Sequence, residues 1–301
     1  MDAPPQRVIG VDVGGTKILA GVVGPDGAVE TRRERPTPLG SEAELLDGIE
    51  AAVEELRRDG DGVGAVGFGL PTRVDHRTGR SAGAVNLPLG ELDFVATMRE
   101  RLGLPVAADN DANAAALAEW RFGAGRGTRD MVMLTLGTGV GGGVVVDGRL
   151  FRAWAELGHV VVEHDGPPCQ GSCTGRGHLE AVASGHAADR LAREAFGEAA
   201  DAHRLVRLAR EGDETARRIL DGIGRRLGSG IGSLVNVFNP EVVVIGGGFS
   251  AAGDLVLDPA REVVAREALA PAENLPIVTA ELGTAAGLIG AALLALDLLA
   301  G

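Results

Sequence analysis

A chain of 301 residues with 45% apolar residues has the length of one large or two ordinary domains and enough apolar material for a core in each, which excludes an intrinsically disordered protein. Its formal net charge of −13 repels phosphate backbones and anionic bilayers, so neither nucleic acid nor a membrane is expected as a partner. The 47 glycines follow no three-residue period, which points to tight turns and close backbone–ligand approaches and excludes collagen.

The N-terminus, MDAPPQRVIG, carries no basic region and no apolar run, so no secretory leader is expected and the protein is read as cytoplasmic. Residues 7–35 read as a β-meander. An apolar strand runs into Gly14-Gly15, a second strand follows, and the Pro25-Asp26-Gly27 turn leads to a third. Ser41 followed by Glu44 is a capping box opening a helix to about Arg58. GVGAVGFGLP is a short strand ending in a proline loop, and LPVAADND is another that runs into a helix, ANAAALAEWRFG.

At 130–150 the chain reads DMVMLTLGTGVGGGVVVDGRL. LTLGTGVGGGVVV (134–146) repeats the plan of VDVGGTKILAGVV (11–23): strand, glycine-rich turn, strand, then a turn with Asp-Gly. This is an internal duplication, and two such halves facing one another would set two glycine turns around a common cleft. Helices follow at about 178–196 and 213–237, then an apolar strand, EVVVIGGG. No linker separates the halves. The expected division is 1–115 and 116–285, with a hinge near 113–120 and a C-terminal helix (286–301) packing back on the first domain. The uncharged run from Leu282 to Leu296 falls short of the roughly 20 residues of a membrane span, so a buried helix is expected there.

Three glycine-rich turns follow apolar strands: Gly14-Gly15-Thr16-Lys17, Gly137-Thr138-Gly139 and Gly246-Gly247-Gly248. Any one reads equally as a plain turn. Together, with two of them duplicated and carrying Thr, they favour a nucleotide, because successive backbone N–H groups form an anion nest. GTGVGG at 137–142 fits the dinucleotide fingerprint, but a strand follows where a helix is required. Asp12 beside the first turn suits Mg2+ or caps the turn. Asp109-Asn110-Asp111 stands where a strand passes into a helix. One such residue is an N-cap, whereas three exceed what a cap needs and offer a general base. Glu156, His159 and Glu180 bracket a loop holding both cysteines, and carboxylates and imidazole suit sugar hydroxyls.

The motifs DVGGTK (12–17), DNDANAAA (109–116), LGTGVGGG (136–143), ELGH (156–159) and GHLEAVASG (177–185), in this order, resemble the ROK family of bacterial sugar kinases and related repressors, its glucokinases above all. The resemblance implies an α/β, actin-like (ribonuclease-H-like) two-domain ATPase fold, closing on sugar and ATP. It implies ATP- and Mg2+-dependent phosphorylation of glucose, or of a related hexose such as mannose, fructose or an N-acetylhexosamine, at the 6-hydroxyl. A sugar-sensing regulator without catalysis is the other class, and polyphosphate the other donor. Asp111 matches the catalytic base, and Asn110, Glu156, His159 and Glu180 match sugar contacts. Asp12, Gly14, Gly15, Thr16, Lys17, Gly137, Thr138 and Gly139 match the phosphate side, and Gly247 and Gly248 the nucleoside side. A homo-oligomer, dimer or tetramer, is also implied.

Family members often hold structural zinc through the His of E-x-G-H and three cysteines. Here His178 stands where the last cysteine is usual, so the implied ligand set is His159, Cys169, Cys173 and His178, with His164 as a competitor. Two nitrogens and two sulfurs suit tetrahedral Zn2+ and leave no open position for catalysis. The metal is expected to fold a loop poor in apolar residues and to orient His159 and Glu180 toward the sugar. The segment 149–156 is shorter than usual, and Pro71-Thr72 stands where Pro-Gly is common. Eleven residues precede Asp12, too few for a DNA-binding head.

Overall fold

A computed structural model of the chain describes residues 7–59, 62–75, 77–84, 87–171 and 173–300. The chain divides into two compact units. One is Met1–Phe122 with Arg152–Trp154 and Thr284–Gly301, and the other is Gly123–Phe151 with Ala155–Gly283.

In the first unit the meander forms β1 (Arg7–Val13), β2 (Lys17–Val23) and β3 (Val29–Pro36). The glycine turn sets an antiparallel register with Val13 opposite Ile18. The edge strand β3, VETRRERP, is largely charged, which blunts a free sheet edge. Helix α1 (Glu42–Asp59) begins where Ser41 Oγ accepts the Glu44 N–H at 3.2 Å, as the capping box predicts. Strand β4 (Val63–Leu70) lies parallel to β1. A hairpin of β5 (Thr72–Asp75) and β6 (Arg80–Ala84) follows, then α2 (Phe94–Leu102), capped by Asp93 and absent from the sequence reading. Strand β7 (Val106–Asn110) lies parallel to β4 and passes directly into α3 (Asp111–Phe122). The sheet order is β3-β2-β1-β4-β7.

The second unit opens with β8 (Met131–Leu136), β9 (Val140–Val146) and β10 (Arg149–Leu150). After the cysteine loop come α4 (Leu179–Ala183), α5 (Gly185–Phe196), α6 (Ala202–Glu211) and α7 (Glu214–Phe238). Strand β11 (Val242–Gly246), α8 (Asp254–Glu267) and β12 (Ile277–Thr279) complete it. The order β10-β9-β8-β11-β12 repeats that of the first sheet, with the same strand directions: an antiparallel meander, then two parallel additions. The duplication therefore covers five strands, more than the strand–turn–strand unit seen in the sequence.

Helix α9 (Ala286–Ala300) belongs to the first unit and packs on β1, β4 and α3. It approaches the sheet so closely that a Cβ at Gly10 or Gly67 would collide with the carbonyls of Leu288 or Ala291. Leu288, Ile289, Leu293 and Leu294 are buried, so its apolar character serves a core. Each unit has its own core: Ile9, Phe68 and Phe94 are fully buried in one, and Leu134, Ile223 and Ile245 in the other.

Two expectations are corrected. The stretch 113–120, read as a hinge, lies within one unbroken helix whose alanines are buried, and the seam falls at Gly123, past its end. The helix expected over 178–196 is two helices, because Ser184 leaves helical geometry (ψ 170°) and caps α5 through its Oγ.

Candidate active site

In the first unit, Gly14 donates its N–H to the Lys17 carbonyl at 2.9 Å and closes the first glycine turn. Buried Thr37 clamps it from β3's end: its Oγ1 donates to the Gly14 carbonyl at 2.6 Å, and its N–H to the Thr16 carbonyl at 3.1 Å. Gly15 and Thr16 are left at the rim of the turn, with Thr16 exposed. The Lys17 ammonium is paired with Glu34 across the meander at 2.8 Å. Asp12 as a residue is partly covered, but its carboxylate lies against Gly287, where any Cβ would collide with it. That desolvation pushes its pKa up to about 6, with Lys17 pulling it partly back.

The Asp109-Asn110-Asp111 run divides its labour at the β7–α3 junction. Asp109 is 1% exposed, and its Oδ1 accepts the Asn110 N–H at 2.7 Å and the Asn113 amide at 2.9 Å. Asn110 Oδ1 accepts the N–H groups of Ala112 and Asn113, the capping role, and its amide donates to the Thr72 carbonyl at 3.3 Å. Asp111, half-buried, accepts the Ala112 N–H at 2.8 Å. Two of the three residues thus build a frame, and the third holds a carboxylate at its edge.

In the second unit the turn Gly137-Thr138-Gly139 is closed by Gly137 N–H to the Gly139 carbonyl at 2.9 Å. The start of α5 grips it: Gly185 N–H donates to the Gly137 carbonyl at 2.8 Å, and His186 N–H to the Thr138 carbonyl at 3.3 Å. Glu180 Oε2 accepts the Val140 N–H at 3.0 Å, and a Cβ at Gly139 would strike this carboxylate. Gly247 follows β11 with φ 84°, and a Cβ there would meet the Leu136 backbone. These turns border a cavity of about 780 Å3 lined by Gly137, Thr138, Gly248, Phe249, His186 and Arg207, among others. The walls from α5 and α6 were not marked in the sequence. Asp189 on α5, whose Oδ1 accepts the Ala202 N–H at the start of α6 (2.7 Å), and Arg210, which donates to the Ala251 carbonyl (2.7 Å), secure them.

The implied metal ligands converge. One donor atom each from His159, Cys169, Cys173 and His178 falls within 4.8 Å of the others. A tetrahedral zinc with bonds of about 2.0–2.3 Å needs donors about 3.3–3.8 Å apart. The Cys173 sulfur lies 3.7 Å from His178 Nδ1. Nδ1 of His159 is buried and makes no hydrogen bond among the described residues. Burial, reinforced by Cys173 and Glu180, pushes the Cys169 thiol up to about 12, a cost that a cation beside it removes. The donor set fits zinc. His164 is exposed, pairs with Asp165 at 3.4 Å, and lies outside this group. Glu156 is exposed on the single turn Leu157–His159, with its Oε2 3.7 Å from His159 Nδ1.

A model of the ROK family matches residues 8–298. The glucokinase of Thermotoga maritima is 38% identical over 311 aligned residues, covering 96% of this chain and 97% of that one. A ROK family glucokinase from Streptomyces griseus, solved in complex with glucose and AMPPNP, is similar with a TM-score of 0.84 at 36% identity, covering 97% of this chain and 99% of that one. The ROK hexokinase from Thermus thermophilus is similar with a TM-score of 0.86 at 37% identity, covering 98% and 100%. With a family model spanning nearly all of it and relatives matched over their whole length, the chain belongs to the ROK family and has its actin-like ATPase fold.

Proposed function

We propose that this protein transfers the γ-phosphoryl group of ATP to the 6-hydroxyl of glucose. The observation that carries the reading is the frame around Asp111: Asp109 and Asn110 fix the start of α3, so the Asp111 carboxylate is held in one place to receive a hydroxyl proton. The sugar oxygen would then attack the γ-phosphorus in line. Asn110, Glu156, His159 and Glu180 are the hydroxyl ligands. Positioning does most of the catalysis in such transfers.

On the donor side, Gly14, Gly15, Thr16 and Lys17 and the turn 137–139 would cradle phosphates, while Gly248 and Phe249 line the cavity that would take the nucleoside and Gly247 precedes them at the end of β11. Mg2+ carried in with ATP supplies charge neutralisation for the developing phosphate oxygens. Asp12 would hold it, since a raised carboxylate gains most from a cation. Zinc in the Cys/His group would be structural, with four protein ligands and no open position.

A second reading is a kinase of wider hexose range. Phe151 and Trp154, in the shortened segment before Glu156, are 43% and 61% exposed, and Arg73 stacks over Trp154 at 4.5 Å. That segment offers aromatic faces where backbone donors would otherwise read hydroxyls, which lowers discrimination. Purified protein with ATP–Mg2+, assayed against glucose, mannose, fructose and N-acetylhexosamines, decides. Glucose preferred, with mannose within about 10⁴ in kcat/KM, supports both readings. No turnover with any sugar, with ATP or polyphosphate, overturns the kinase and leaves a sugar-sensing protein.

A further inference from the structure

Gln170 stands between the two cysteine ligands, but its side chain serves another site. Its Nε2 lies 3.2 Å from the Thr138 carbonyl and 3.3 Å from Ser184 Oγ, so both amide hydrogens have an acceptor. Thr138 is the middle residue of the second glycine turn and lines the 780 Å3 cavity. Ser184 is fully buried and caps α5, whose first residues grip the same turn from another side. One amide therefore ties together the turn and the helix start that border the donor cavity.

The backbone of Gln170 is held by the metal-ligand loop. Cys169 N–H donates to the Gly175 carbonyl at 3.0 Å, and Cys173 N–H donates to Gln170's own carbonyl at 3.2 Å. The amide at its tip is thus a fixed point. A planar trans peptide carries its N–H opposite its C=O. Holding the Thr138 carbonyl toward Gln170 and His186 therefore turns the Gly139 N–H to the opposite side of the turn. Orientation of successive N–H groups is what makes such a turn an anion nest.

We infer that Gln170 is a donor-positioning residue, through which the metal-ligand loop sets the peptide planes of the phosphate turn 137–139. The inference deepens the kinase reading and rests on it for the identity of the donor. It extends the role expected for the loop, which was confined to the sugar side.

The test uses the full chain with its metal and two variants. Gln170→Glu keeps the shape but replaces the donating NH2 with a carboxylate oxygen that cannot donate to the Thr138 carbonyl, and Gln170→Leu removes the polar group. Zinc content, KM for glucose, KM for ATP, and amide hydrogen exchange of the ligand-free protein are measured on each. We expect unchanged zinc, a glucose KM within about twofold, an ATP KM raised about tenfold, the scale of one or two lost hydrogen bonds, and faster exchange over 138–140 and 185–187. An unchanged ATP KM with full protection of the turn in Gln170→Glu overturns the inference. A glucose KM that rises as much as that for ATP does so too, as does loss of zinc in both variants, because Gln170 then serves the loop itself. If the wild-type protein transfers no phosphate to any sugar, the kinase reading fails separately, and the exchange data alone decide whether Gln170 braces the turn.

Discussion

Glu180 accepts the backbone N–H of Val140 through one carboxylate oxygen at 3.0 Å, while the other lies 3.7 Å from the Cys169 sulfur. The carboxylate is thus engaged by the glycine turn on one side and by the cysteine loop on the other. Glu180→Ala should therefore raise KM for ATP as well as for glucose, each by about tenfold, the worth of a charge-assisted hydrogen bond. Steady-state kinetics with both substrates varied check this; a change confined to glucose would show that the turn does not depend on Glu180.

Asp111→Asn keeps an oxygen for the Ala112 N–H and so should leave the melting temperature nearly unchanged. Turnover should fall by about 10²–10⁴, the usual contribution of a positioned base. Glucose affinity by calorimetry should move only a few-fold. Near-normal turnover would remove Asp111 from the base role.

Cys173→Ser removes one of four converging donors. The variant should lose about one zinc per chain and melt lower, because metal binding in such a loop is folding free energy. Both KM values should rise: glucose through His159, and ATP through Gln170. Metal analysis finding no zinc in the wild-type protein would sink this assignment.

Asp12 gives a pH dependence with a definite sign. Its pKa is raised by burial from 3.8 to about 6 in the folded chain, so the folded state binds the proton more tightly than the unfolded one. The stabilisation from the protonated form is fully present below about pH 4 and is lost as pH rises through about 6. Asp12→Asn, neutral throughout, should gain on the wild type over that window, by on the order of 1–3 kcal/mol. Melting curves of both proteins from pH 4 to 8, without Mg2+ or nucleotide, measure the gap; a gap that shrinks as pH rises contradicts the assignment.

Much of this architecture was legible because it is written locally. Strand, glycine turn and strand appear twice within short windows, and each turn closes through its own backbone. The DND run stood out as excess over a cap, and the family pattern pointed to the four His and Cys side chains whose donor atoms converge. What escaped detection was written across distance. Helix α6 has Asp201 as its N-cap and Gly212 as its C-cap, but the cavity it lines becomes visible only once Gly137 and Gly248 have been brought beside it. The break at Ser184 comes from the grip of Gly185 on the Gly137 carbonyl, some fifty residues earlier, which no helical period carries. Gln170 carries no signal in the sequence, because nothing in its neighbourhood names Thr138 as its acceptor.

Helix α9 is translated after the whole of the second unit, yet β1 and β4 pack against it through Gly10 and Gly67. On the ribosome the first unit therefore emerges early and stays unfinished, with an apolar sheet face uncovered while some 160 further residues (123–283) are made. The second unit has no such debt to later sequence and can complete itself first. Maturation would run against the direction of synthesis, and a nascent chain stalled before residue 286 should be a client for chaperones that shield β-sheet surface.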